Sequence, residues 1–101
     1  MLMYIPCIII TKHNPGLYEW SVMLDQEQLD KDVGDPTVSS CFSSAVSAIS
    51  DDVRLVEVRY RGLHMGTFEV LELIERADTM AAKIAAMHGA LTSDSLTLEK
   101  L

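Results

Sequence analysis

The spacing of the apolar residues changes twice along this chain, from the alternation of a strand to the periodicity of a helix. Over residues 17–24 apolar and polar residues alternate, which predicts a strand with one buried face. Over residues 36–50 the apolar residues recur at intervals of three and four, as on one face of an amphipathic helix. The same change recurs between residues 53–69 and 70–88, where Leu73, Ile74 and Ile84 belong to the apolar stripe predicted for the second helix. This order of patterns indicates an α+β fold.

Four strands and two helices are predicted in the order ββαββα. The strands cover residues 3–11, 17–24, 53–60 and 65–69. Turns separate the strands of each pair, at Asn14-Pro15-Gly16 and near Gly62. We therefore predict a four-stranded, mostly antiparallel sheet with two helices on one face. Residues 1–90 are expected to form a single α+β domain, and residues 91–101 a flexible C-terminal tail.

Composition is typical of one globular domain. The chain has 101 residues, of which 49% are hydrophobic and 23% are charged. The apolar run over residues 4–10 is much shorter than the ~20 residues that cross a bilayer, and no basic leader precedes it. A cytoplasmic protein that does not bind membranes is therefore expected.

Acidic residues are concentrated in the connection over residues 25–35. The net charge of the whole chain is −7, which argues against nucleic acid as a partner, since phosphate contacts need clustered lysine and arginine. A protein partner with a basic surface is favoured instead. The predicted partner-binding residues are Asp25, Glu27, Asp30, Asp32 and Asp35.

The polar side of the first predicted helix consists largely of serine. Serine is a mediocre helix former without charge, so this face is smoother and more neutral than an ordinary exposed face. The residues of this possible interface are Ser39, Ser40, Ser43 and Ser47. The second helix has a ridge of small residues, which are Ala82, Ala85, Ala86 and Gly89. Either the two small faces pack together within one chain, or the serine face is a contact surface for another molecule. That other molecule could be a second copy of the chain in a homodimer.

Residue types that carry catalysis are few and do not form a motif. The three histidines lie apart in the sequence, and Cys7 and Cys41 both fall in apolar patterns, as buried free cysteines do. The acidic segment does not match the ligand spacing of an EF-hand. No catalytic residue, metal site or cofactor is therefore predicted. The alternative is a small enzyme or ligand-binding domain, with His64 or Cys41 in a pocket between sheet and helices.

Two family resemblances bear on these alternatives. The residues from Asn14 to Glu19, the following Asp25, and Asp35-Pro36 opening a helix of small residues resemble small phage-encoded anti-CRISPR proteins of the type I-F group. That resemblance implies an acidic, non-enzymatic inhibitor that binds a CRISPR surveillance complex. The stretch over residues 34–49 also looks similar to HicB-like antitoxins, although the Pro-Asp-x-Pro-Gly stretch and the DNA-binding tail of that family are missing. The sequence thus favours a small macromolecule-binding protein. The more specific form of this hypothesis is an inhibitor encoded by a phage or mobile element.

Overall fold

The computed structural model describes the backbone of residues 5–100 and the side chains of residues 5–92. Within this part of the chain, five strands form one mixed sheet in the order β3-β2-β1-β4-β5. The strands are β1 (Cys7–Asn14), β2 (Leu17–Leu24), β3 (Glu27–Asp35), β4 (Leu55–Tyr60) and β5 (Leu63–Glu69). The helices are α1 (Val38–Ser47), α2 (Val70–Glu75) and α3 (Ala77–Lys100).

The α+β class is confirmed, but the predicted order ββαββα and the count of four strands are only approximate. Three antiparallel strands precede α1, because β3 continues the first hairpin. Helix α1 then carries the chain across the sheet, so that β4 pairs with β1 in parallel. The hairpin of β4 and β5 completes the sheet on that side.

Strand β3 occupies the segment that was predicted to be a polar connection. A tight turn at Asp25 and Gln26 joins it to β2, and Asp25 has a positive φ of 58°, which aspartate tolerates better than most residues. Every residue of β3 is exposed except the half-buried Asp35. An edge strand that buries neither face carries no hydrophobic alternation, which is why the pattern analysis missed it.

One hydrophobic core joins the sheet to all three helices. Alternate strand residues such as Ile8, Val22 and Val58 are adjacent in register and fully buried. They pack in one cluster with Phe42 of α1 and Ile84 of α3. The expectation that the helices cover one face of the sheet is therefore met, with three helices in place of two.

Helix α1 begins two residues later than its predicted start at residue 36. Thr37 is the N-cap, and its hydroxyl accepts a hydrogen bond from the Ser40 amide at 3.1 Å. Asp35 ends β3 and does not cap the helix. The helix ends at Ser47, three residues before the predicted boundary.

The second predicted helix is broken at Arg76. The backbone of Arg76 leaves helical geometry with φ −125° and ψ 38°, which separates α2 from α3. On α2, Leu73 is fully buried, whereas Ile74, which was predicted in the apolar stripe of this helix, is 52% exposed. Helix α3 passes through Gly89 and continues to Lys100. The flexibility of residues 91–101 stays a prediction, because the side chains from residue 93 onward and all of residue 101 lie outside the described part.

None of the helices, over the residues described, is long and apolar enough to cross a membrane.

Candidate functional site

The five predicted partner-binding carboxylates all belong to β3 or to the turn before it. Because β3 pairs only with β2 among the described strands, its outer side faces solvent. We call Asp25–Asp35 the acidic edge. It has five carboxylates and one lysine, and thus a net charge of −4. At about 3.4 Å per residue, the nine residues of β3 extend this charge over roughly 30 Å.

The register of β2 and β3 places the acidic side chains on defined faces of the sheet. Asp30 lies opposite the buried Val22, and Asp32 lies opposite the buried Trp20, so both carboxylates belong to the face that carries the helices. Lys31, between them in sequence, lies opposite Ser21 and belongs to the other face. The only cationic residue of the acidic edge is thus directed away from the two aspartates beside it.

Lys31 is engaged on that other face by Glu19 of β2. Its Nζ atom lies 3.6 Å from Glu19 Oε2, while His13 Nε2 lies 2.8 Å from Glu19 Oε1. The hydrogen bond from His13, followed by the charge of Lys31, holds the pKa of Glu19 below its ordinary value. Among the side chains of residues 5–92, all ion pairs involve Glu19. The carboxylates of the acidic edge therefore have no ion-pair partner within this part of the chain.

Two of the carboxylates also bind the strand's own backbone. Asp30 Oδ1 accepts a hydrogen bond from the Lys31 amide, and Asp32 Oδ1 accepts one from the Val33 amide, both at 2.8 Å. An amide that donates to its neighbouring carboxylate is not free to pair with another strand, and charged side chains on an edge further discourage such pairing. The acidic edge therefore offers charged side chains to a partner more than it offers an open backbone edge.

Asp35 differs from the other four predicted residues. It is half-buried, and its Oδ1 atom lies 3.5 Å from the Ser44 hydroxyl, which donates to it across the junction between β3 and α1. It also lies close enough to Cys41 to affect that thiol. Asp35 thus has a structural role where β3 meets α1, and the exposed part of the predicted site consists of Asp25, Glu27, Asp30 and Asp32.

The serine face is partly exposed and satisfies its own hydroxyl groups. Ser43 and Ser47 are exposed, whereas Ser39 and Ser40 are half-buried. Three of the hydroxyls donate to carbonyl groups of the same turn: Ser40 to Thr37 at 3.0 Å, Ser43 to Ser39 at 3.4 Å, and Ser47 to Ser44 at 2.6 Å. These local hydrogen bonds satisfy the three hydroxyl groups without a partner molecule.

The ridge of small residues on α3 does not pack against the serine face. Ala82, Ala85, Ala86 and Gly89 are all exposed, and no atom lies within 4 Å of a Cβ built on Gly89. Helix α3 contacts the core through its buried Met80 and Ile84 instead. Close packing of the two small faces within one chain is therefore not observed, and the role of the serine face as an interface stays a prediction.

The residues weighed for catalysis lie in different environments. His13 pairs with Glu19, His64 is exposed on β5, and the ring of His88 meets the ring of Tyr60 edge to face at 5.2 Å. Cys41 is fully buried, and burial, with the nearby Asp35, raises the pKa of its thiol to about 12. Within the described residues, no three His, Cys, Asp or Glu side chains converge as metal ligands.

Cys41 should therefore be inert toward thiol reagents in the folded protein. With a pKa near 12 in place of 9.0, its thiolate fraction at pH 8 is roughly a thousandfold smaller than in the unfolded chain, and burial excludes the reagent as well. A Cys7→Ala variant, in which Cys41 is the only cysteine, should react with a disulfide reagent at least a hundredfold more slowly when folded than in denaturant. Similar rates in the two states would contradict the burial of this thiol.

A second surface feature was not predicted from the sequence. A groove of about 910 Å³ lies where the end of α1, the start of β4 and α2 meet, and Leu71 and Ile74 line it. The sequence feature that could have indicated this groove is Leu71, an apolar residue outside the apolar stripe predicted for the second helix. Because one continuous helix was predicted, Ile74 was assigned to the core, and its exposure beside Leu71 was not predicted.

Comparison with known proteins gives no family for this chain, because no family model, curated protein or solved structure matches it.

Proposed function

We propose that this chain is a small, non-enzymatic protein that binds a protein partner with a basic surface through its acidic edge. The observation that carries the proposal is the arrangement of charge around Lys31. Its ammonium group pairs with Glu19 on one face of the sheet, while the carboxylates of Asp30 and Asp32 stand on the other without an ion-pair partner among the described side chains. Uncompensated carboxylates along an exposed strand attract and orient a cationic surface.

Exposed apolar side chains within the acidic edge support the proposal. Leu29 is 42% exposed and Val33 is 55% exposed, and each is next to one carboxylate in the sequence, Asp30 and Asp32 respectively. Charged pairs at the rim of an interface mainly set the rate and orientation of encounter, whereas buried apolar contacts contribute most of the affinity. A partner that covers this strand would gain both kinds of contact.

A narrower form of the proposal is that binding inhibits the partner. A surface that binds nucleic acid carries clustered lysine and arginine, and a row of carboxylates competes with phosphates for it. The resemblance to anti-CRISPR proteins of the type I-F group is consistent with such competition. Under this proposal the chain occupies a cationic surface of its partner and does no chemistry there.

Neutralising the acidic edge should weaken the complex. The chain serves as bait in an extract of its native host, and the captured protein is purified for binding measurements with the triple variant Glu27→Gln, Asp30→Asn and Asp32→Asn. These amides keep the shape of the side chains and the backbone acceptors at positions 30 and 32. The loss of three charge contacts should raise Kd about tenfold or more and reduce its dependence on salt.

The matched control removes three exposed carboxylates elsewhere, with Glu72→Gln, Glu75→Gln and Asp78→Asn on α2 and α3. Both variants lower the net negative charge by three, so a difference between them reports position and not total charge. Equal effects of the two triple variants, or an unchanged Kd for the β3 variant, would refute the proposal.

A further inference from the structure

Four of the most exposed large apolar side chains meet in one groove on the α2 side of the molecule. We call this the α2 groove, and it has a volume of about 910 Å³. The exposed fractions are 42% for Ile5, 43% for Leu55, 58% for Leu71 and 52% for Ile74. Among the described residues only seven large hydrophobic side chains are exposed, so more than half of them line this one feature. Such clustering on a small protein marks an interaction surface.

The rim of the α2 groove is acidic. Asp51, Asp52 and Glu69 line it together with a single cation, Arg54. Asp51 and Asp52 belong to the connection between α1 and β4, and Glu69 ends β5 at the start of α2. Two copies facing each other through this groove would bring three carboxylates from each copy together, whereas a segment with lysine or arginine beside apolar residues would match both parts of the lining.

The openness of the walls indicates the kind of ligand. The four apolar side chains keep between 42% and 58% of their surface exposed, so the feature is a groove open to solvent and not an enclosed cavity. Small-molecule sites bury most of their ligand in a concave pocket. An open apolar groove instead suits an amphipathic helix, whose apolar face lies along it while its charged residues meet the rim.

We propose that the α2 groove binds an amphipathic, lysine- or arginine-bearing helical segment of a partner protein. The groove is separate from the acidic edge, because β2 and β1 lie between β3 and β4 in the sheet. The proposal does not depend on binding at β3. A partner that occupies both surfaces would contact the molecule at two separate places.

The test uses isotope-labelled protein and two designed 14-residue amphipathic peptides as probes. One peptide combines leucine with lysine, and the other has glutamate in place of each lysine. The leucine–lysine peptide should shift the amide signals of residues 49–55 and 69–75. The glutamate peptide should bind at least about tenfold more weakly because the rim repels it.

Variants separate the groove from the rest of the surface. Leu71→Gln with Ile74→Gln removes two exposed apolar contacts and keeps the net charge, so it should weaken binding of the leucine–lysine peptide about tenfold or more. Leu91→Gln changes a comparably exposed leucine outside the groove, and it should leave the affinity unchanged. The triple β3 variant should also retain binding at the α2 groove, which separates this proposal from the proposed function.

Three results would overturn the inference. The first is a Kd that the Leu71→Gln, Ile74→Gln variant leaves unchanged. The second is a set of peptide-induced shifts confined to residues 25–35, which would mean that charge alone attracts the lysine peptide. The third is a concentration-dependent dimer in sedimentation that this double variant abolishes, which would assign the groove to a second copy of the chain.

Discussion

Replacing Phe42 by alanine should lower the free energy of unfolding by about 3–5 kcal/mol. Phe42 is a fully buried side chain of α1, in the cluster that joins this helix to the sheet. Truncation removes its apolar contacts and leaves a cavity that the surrounding side chains fill only in part. Because small domains are stable by only about 5–15 kcal/mol, this loss is a large fraction of the total.

Urea unfolding followed by the fluorescence of Trp20 measures this effect, since Trp20 lies in the same buried cluster. The matched control is Ser43→Ala at the next position of α1. Ser43 is exposed and donates only to its own helix, and alanine is the better helix former, so this change should alter stability by less than about 0.5 kcal/mol. A large loss at Ser43, or a small one at Phe42, would contradict the observed orientation of α1.

Replacing Ile84 by aspartate should prevent α3 from docking on the sheet. Ile84 is fully buried, so the substitution loses the apolar contacts and places a carboxylate inside a cluster of buried hydrophobic residues. Together these effects exceed about 4 kcal/mol, close to the whole stability of a marginal domain. The expected result is loss of the near-ultraviolet circular dichroism signal and of the contact between His88 and Tyr60, whose ring centroids are 5.2 Å apart.

Ala85→Asp is the control for this variant, at the next residue of the same helix. Ala85 is exposed, so the aspartate remains in water and costs only the difference in helix propensity, roughly 0.5 kcal/mol. The pair also tests the position of the small ridge of α3. If Ala85→Asp were as damaging as Ile84→Asp, the ridge would have to be packed against another element, against what the structure shows.

The parts of the fold that bury one face are the parts that could be predicted. Strand β2 has the predicted bounds because Trp20 and Val22 alternate with polar residues along it. Strand β3 was missed because an edge strand in solvent leaves no such alternation. The break at Arg76 was missed because the apolar spacing on its two sides is compatible with one continuous helix. The exposure of Ile74 depends on how α2 packs against the rest of the molecule, which the spacing does not show.

The position of the candidate site in the chain could be predicted from the sequence, but the pairing of its charged side chains could not. The acidic residues stand together in the sequence, so their segment was evident from composition. The pairing of Lys31 with Glu19 depends on the register of β2 and β3, which includes two irregularities near Glu19 and Val22. Which carboxylates remain uncompensated is therefore a property of the strand pairing, and the α2 groove is likewise a product of tertiary packing.

Hydrogen exchange of the protein, free and bound to its captured partner, tests the central claim most directly. If the acidic edge is the binding surface, the partner should slow exchange of the amides over residues 25–35, and the strongest effect should lie around Asp30 and Asp32. Raising the salt concentration should weaken that protection as it weakens the complex. A partner that leaves the exchange of β3 unchanged while it protects other parts of the molecule would contradict the account.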